Sequence, residues 1–144
     1  MTATFRGFGP GLYEFFEGLS AHNDRAWFAE HKAQYECEVR VPLEELFDDL
    51  EPEFGPARIF RIHRDVRFSR DKTPYKTSQA GLIDQGAGAT HYLQVGADGV
   101  MIGVGAPHFD RDQLSRYRRA VGSDEGEELA DVLAGLRRRR YDVG

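Results

Sequence analysis

The sequence predicts an α+β domain with an N-terminal helical unit, a largely antiparallel sheet built from hairpins, and C-terminal helices. Three observations carry that expectation. Apolar residues recur at helical spacing through the first third of the chain, the period changes to two from Arg58 onward, and helical spacing returns after Asp110. Short strands joined by tight turns rather than helical crossovers call for antiparallel pairing.

The first helix opens at Pro10, which a first turn tolerates, and buries Leu12, Phe15, Phe16 and Leu19 at i, i+3, i+4 and i+7 before ending around Ser20–His22. Asn23 is the expected N-cap of the second helix, with Asp24 complementing its positive end. Trp27, His31 and Tyr35 line up there at i, i+4 and i+8, with Phe28 beside them, and read as core packing. Pro42 punctuates the chain, and a third helix carries Leu43, Leu46, Phe47 and Leu50 up to the breaker run 51–56. From Arg58 the alternation expects Phe60 and Ile62 on a core face, with Arg61 and His63 opposite. Val66 and Phe68 repeat the pattern. Residues 70–77 read as a loop, because Asp71 and Pro74 break a ladder. Ser78–Asp84 is a strand followed by a glycine- and alanine-rich turn over Gln85–Ala89. His91–Gly96 and Val100–Gly105 form a hairpin around Ala97-Asp98-Gly99. Asp110 with Gln113 three residues on is a capping-box signature for a helix bearing Leu114, Tyr117 and Val121. Ser123 and Asp124 open a last helix with Leu129, Val132, Leu133 and Leu136, which runs into Arg137–Arg140 at its negative end.

The 144 residues suit a single domain over 1–144, and 40% hydrophobic residues with 12% aromatic give it a core. A lone cysteine, Cys37, excludes an intrachain disulfide and a thiolate zinc cluster, which points to a cytoplasmic setting. No apolar run approaches a membrane span, and no basic-then-apolar leader opens the chain, so no membrane partner is expected. Glycine pairs at 86–88 and 103–105 lack the third glycine of a dinucleotide fingerprint, and no Walker loop is present. His63-Arg64-Asp65 spells a kinase triplet, but Arg70 stands where the asparagine belongs. The five histidines, His22, His31, His63, His91 and His108, are scattered, and no metal site is expected.

The net charge of −5 argues against a generic nucleic-acid binder, yet it hides a segregation. Residues 1–57 carry 12 acidic and 4 basic side chains, whereas residues 58–76 carry 7 basic and 2 acidic, a local net of +5. Within that segment Arg61 and His63 share a strand face, and a proline-fixed loop carries Arg67, Arg70, Lys72 and Lys76 among Ser69, Thr73, Tyr75 and Thr77. Guanidinium forks, ammonium groups and hydroxyls converging in this way are what phosphate or carboxylate recognition requires. Asp65 and Asp71 either orient those arginines or neutralise them. His63 is the one group of the segment suited to proton transfer near neutral pH.

The stretch from His63 to Thr77 also resembles the signature of a bacterial and fungal family of conserved hypothetical proteins, domain of unknown function 2461. Asn23-Asp-Arg-x-Trp-Phe28, His31-Lys32, Tyr35, Pro42, the Tyr92 strand, the Gly103–Pro107 turn and Tyr117–Val121 agree with it. The resemblance runs from about Phe8 to the end. It implies that the chain stops before a further segment with a Leu-Lys and a Pro-x-Gly pattern, and so lacks a part of the family's length. It brings no activity, substrate or cofactor. Its matching positions are Arg61, His63, Arg64, Asp65, Arg67, Lys72, Tyr75 and Lys76.

Three functional readings stand side by side. In the first, these residues bind a phosphate-bearing small molecule, with His63 as acid/base in an enzymatic version. In the second, the basic loop docks an acidic protein or a nucleic-acid backbone. In the third, the acidic helices of residues 1–57 pin the cations as a structural network. Cofactor, reaction and oligomeric state are not specified by the sequence.

Overall fold

The computed structural model describes residues 4–86 and 89–144. The chain divides into two compact units, one through Ala106 and one from Pro107 to Gly144.

The first unit begins with α1 (Pro10–Ala21), whose Leu12, Phe15, Phe16 and Leu19 are all fully buried, as the stripe predicts. The cap of α2 (Arg25–Tyr35) is Asp24 rather than Asn23: its carboxylate accepts from the Trp27 amide at 2.8 Å. Asn23 is freed for a contact 52 residues away. Pro42 does not interrupt the helical path. A π-helical turn, Glu36–Arg40, links α2 directly to α3 (Val41–Phe54). A widened turn accommodates a proline ring that would otherwise clash with the carbonyl of the preceding turn. Arg40 reaches Glu44 across the junction. Pro52 likewise lies inside the helix, which continues to Phe54.

Four strands, β1 (Ala57–Ile59), β2 (Ser78–Asp84), β3 (Thr90–Gly96) and β4 (Gly99–Gly105), pair antiparallel in the order β1-β2-β3-β4. The fold is therefore α+β with an antiparallel sheet. The strand pairs Gln79↔Val95 and Gly81↔Leu93 belong to the face that packs on the helices. Gly81 is required there, because a Cβ would come within 2.6 Å of the Phe47 ring. Val100, Ile102 and Val104 of β4 continue the same rows and are exposed. The hairpin expected around Ala97-Asp98-Gly99 is present. The turn expected over Gln85–Ala89 lies partly outside the described residues.

Of the strand expected from Arg58 to His63 only Arg58 and Ile59 pair, within β1, and the strand expected over Val66–Ser69 does not form. Only Ala57–Ile59 joins the sheet, and the rest of the segment leaves it as a stapled loop. Ile62 is buried as anticipated, whereas Phe60 is half-buried.

In the second unit α4 (Arg111–Val121) carries the full capping box. The Gln113 amide donates to Asp110 Oδ1 at 2.7 Å and the Asp110 amide to Gln113 Oε1 at 2.9 Å. The last helix, α5 (Asp124–Arg138), follows Ser123, whose hydroxyl donates backward to the Ala120 carbonyl instead of capping. None of these helices is long and apolar enough to cross a membrane.

Candidate functional site

The basic segment occupies the crossing from β1 to β2, and three devices hold it. At its start, the buried side chain of Gln79 donates to the Phe60 carbonyl while accepting from the Tyr35 hydroxyl at 2.6 Å. At its neck, the Lys76 amide donates to the Ile62 carbonyl and the Arg64 amide to the Pro74 carbonyl, framing an isolated bridge between His63 and Tyr75. At its end, Asn23 grips the Tyr75 backbone on both sides. Its Nδ2 donates to the carbonyl at 2.9 Å, and its Oδ1 accepts from the amide at 3.1 Å. The Tyr75 ring is buried and stacks on Phe28 with centroids 4.3 Å apart.

Beyond the neck the loop bonds to itself. Asp65 receives Arg67 through Nε at 3.0 Å and Nη2 at 2.7 Å. Asp71 receives Arg64, the Thr73 amide and the Thr73 hydroxyl. Lys72 Nζ donates to the Val66 carbonyl at 2.7 Å, and Lys76 Nζ to the Arg61 carbonyl at 2.9 Å. Such short-range side-chain bonds offer the backbone an alternative to a ladder, which is why the alternating pattern does not become strand. Arg58 and Lys76 both approach the Phe60 ring, 5.7 and 5.8 Å from its centroid. His63 is exposed, its ring 5.2 Å from Tyr75 and 6.4 Å from Phe28.

Electrostatically the loop is neutralised only in part. Among the described residues its contact ion pairs are Arg64–Asp71 and Arg67–Asp65, both internal to the loop. The acidic helices of residues 1–57 supply neither carboxylate, whereas the third of the three readings would have them pin the cations. Arg58, which precedes the motif, belongs with the cations that have no contact carboxylate among the described residues. Its signal is the i, i+2 relation to Phe60. A cleft of about 430 Å³ opens beside the loop's last residue, lined by Ser20, Thr77, Ser78, Gln94 and Asp98 among others, with no cation in its lining.

The hydrogen bonds from Thr73 to Asp71, reinforced by Arg64, hold its carboxyl down at about 2. Asp65 is lowered as well, chiefly by Arg67. A depressed carboxyl pKa favours the folded loop above the unfolded value near 3.8, and that contribution fades as pH falls from there toward about 2. The Thr73 amide resonance, followed by NMR, is therefore expected to titrate with a midpoint near 2. A midpoint near 3.8 would mean that the staple does not form in solution.

No curated protein and no solved structure matches the chain. A family match is found: residues 11–142 fit the conserved hypothetical protein family DUF2461. With nearly its whole length matched, from the buried stripe of α1 through the stapled loop to the end of α5, the chain belongs to that family.

Proposed function

We propose that this protein is a cytoplasmic anion-binding domain whose basic segment, from Arg58 to Lys76, takes a phosphate-bearing small molecule. The observation that supports this is the mismatch of partners: among the described residues, the segment's seven cations share two contact carboxylates, which engage only Arg64 and Arg67. Arg58, Arg61, Arg70, Lys72 and Lys76 keep donors for a ligand. The two lysines are already oriented by backbone carbonyls, so little side-chain entropy is lost on binding. Asp65 and Asp71 orient the arginines that they hold, Tyr75 anchors the neck, and the exposed imidazole of His63 is a further donor beside it. The reading is one of binding. Among the described residues no hydrogen bond orients the His63 ring, so its imidazole is read as a donor to the anion rather than as an acid/base.

A thermal-shift titration with inorganic phosphate, pyrophosphate and sugar phosphates tests it. Ligand at 100 times its dissociation constant stabilises by about 2.7 kcal/mol, a shift readily measured. The expected result is a shift in the wild type and an affinity at least about tenfold weaker in Arg70→Ala and in Lys72→Ala, each charged contact being worth about 1.5–3 kcal/mol. Absence of any shift with all three ligands would overturn the reading.

A further inference from the structure

Phe68 is the anomaly of this surface. Its side chain is 96% exposed, more than any other exposed large apolar residue described. Single exposed apolar residues are ordinary, but a phenylalanine this open on a stapled turn is not. The Val66 carbonyl accepts from the Ser69 amide at 3.4 Å and from Lys72 Nζ at 2.7 Å, so Arg67 and Phe68 are the central residues of a clamped turn. Glycine, asparagine or another small polar residue is usual at such a position. The Arg67 guanidinium, fixed by Asp65, stands 5.9 Å from the ring centroid. Arg70 follows two residues later, and the Lys72 ammonium lies at the same turn.

The surroundings discriminate among partners. A membrane-inserting tip needs several apolar side chains, and Phe68 is the one aromatic residue between Arg64 and Pro74. An anchor for a protein pocket is usually ringed by contacts that exclude water, whereas this ring stands open beside the Arg67 guanidinium on a turn that also carries Arg70 and Lys72. A single open aromatic face with cations beside it matches a nucleobase and its phosphate.

We infer that the loop takes a nucleotide unit, free or within a single strand. Its base stacks on Phe68, and its phosphate meets Lys72, Arg70 and the remaining donors of Arg67. This rests on the anion reading above and names its ligand class. The test is a calorimetric titration of the wild type, Phe68→Ala and Phe68→Trp. The ligands are adenosine 5′-monophosphate, ribose 5-phosphate, a short deoxythymidine oligonucleotide and phosphatidylserine vesicles. The wild type is expected to prefer the nucleotide over the sugar phosphate by about tenfold, the usual size of one stacked base. That preference disappears in Phe68→Ala and returns in Phe68→Trp, while ribose 5-phosphate affinity stays constant. An oligonucleotide that outbinds the mononucleotide identifies the single-stranded source, and the reverse order the free nucleotide. Equal affinity for nucleotide and sugar phosphate overturns the stacking inference and leaves the anion site standing. Binding of neither overturns both, and Phe68-dependent binding to vesicles without nucleotide preference overturns it in favour of a membrane.

Discussion

Phe28→Ala is expected to lower the stability of the first unit by about 3–5 kcal/mol, the range for truncating a buried phenylalanine. Phe28 is 8% exposed and lies in the middle of an aromatic cluster. Its centroid is 4.3 Å from Tyr75, 5.4 Å from Tyr35 and 6.2 Å from Phe15. The cavity left by its ring would be bounded by α1, by the end of α2 and by the neck of the basic loop, so the helices and the loop lose a shared wall. Tyr75 is gripped through its backbone by Asn23, which limits how far the loop can collapse into the space. Urea denaturation checks the prediction, with Phe68→Ala as the control expected within about 0.5 kcal/mol of wild type because its ring touches little. A Phe28→Ala loss below about 1 kcal/mol would mean that the cluster is not packed as described. The contrast between the two phenylalanines, forty residues apart and opposite in exposure, separates what holds the loop from what the loop presents.

Much of this architecture is legible in the chain because it is local. Pro10 and the Leu12–Leu19 stripe, the β3–β4 hairpin and the Asp110–Gln113 box each lie within a few residues, and each forms as its chemistry dictates. What is not legible depends on distant partners or on competition between local bonds. Asn23 and Asp24 are equally good caps by composition. The choice is made by Tyr75, whose backbone takes the Asn23 amide from 52 residues away. Pro42 looks like a break because the capacity of a helix to widen by one residue leaves no mark in periodicity. The alternation from Arg58 to Ser69 looks like strand. Asp65, Asp71 and Lys72 instead satisfy the backbone and the arginines at short range, and the second half of the pattern closes as a turn with Phe68 outermost. For the candidate site, the basic motif places the cations close together in the sequence. Which of them a carboxylate already holds depends on the loop's own closure.

The second large effect concerns Gln79, the one buried amide side chain among the described residues. Gln79→Leu preserves volume and removes a bridge between α2 and the start of the basic loop, leaving the Tyr35 hydroxyl and the Phe60 carbonyl without their shared partner. Burial pushes the Tyr35 phenol up, so it stays protonated and must donate. Each orphaned buried group costs about 1–3 kcal/mol, and a loss of about 3 kcal/mol is expected, a fall in Tm of roughly 10 °C. The added leucine surface offsets some of this, and Arg40, whose charge reaches the phenol, supplies polar company on its far side. The double variant Tyr35→Phe/Gln79→Leu distinguishes a polar bridge from simple misfit of the new side chain. Removing the orphaned hydroxyl should recover about 1 kcal/mol relative to Gln79→Leu alone, a non-additivity that a packing defect would not produce. Because Gln79 fixes the carbonyl of Phe60, whose ring meets Arg58 and Lys76, the same substitution is also expected to weaken phosphate binding below the melting transition. A Gln79→Leu protein that melts within about 2 °C of wild type would show that water, or a rotation of Tyr35, satisfies these groups as well as the glutamine does.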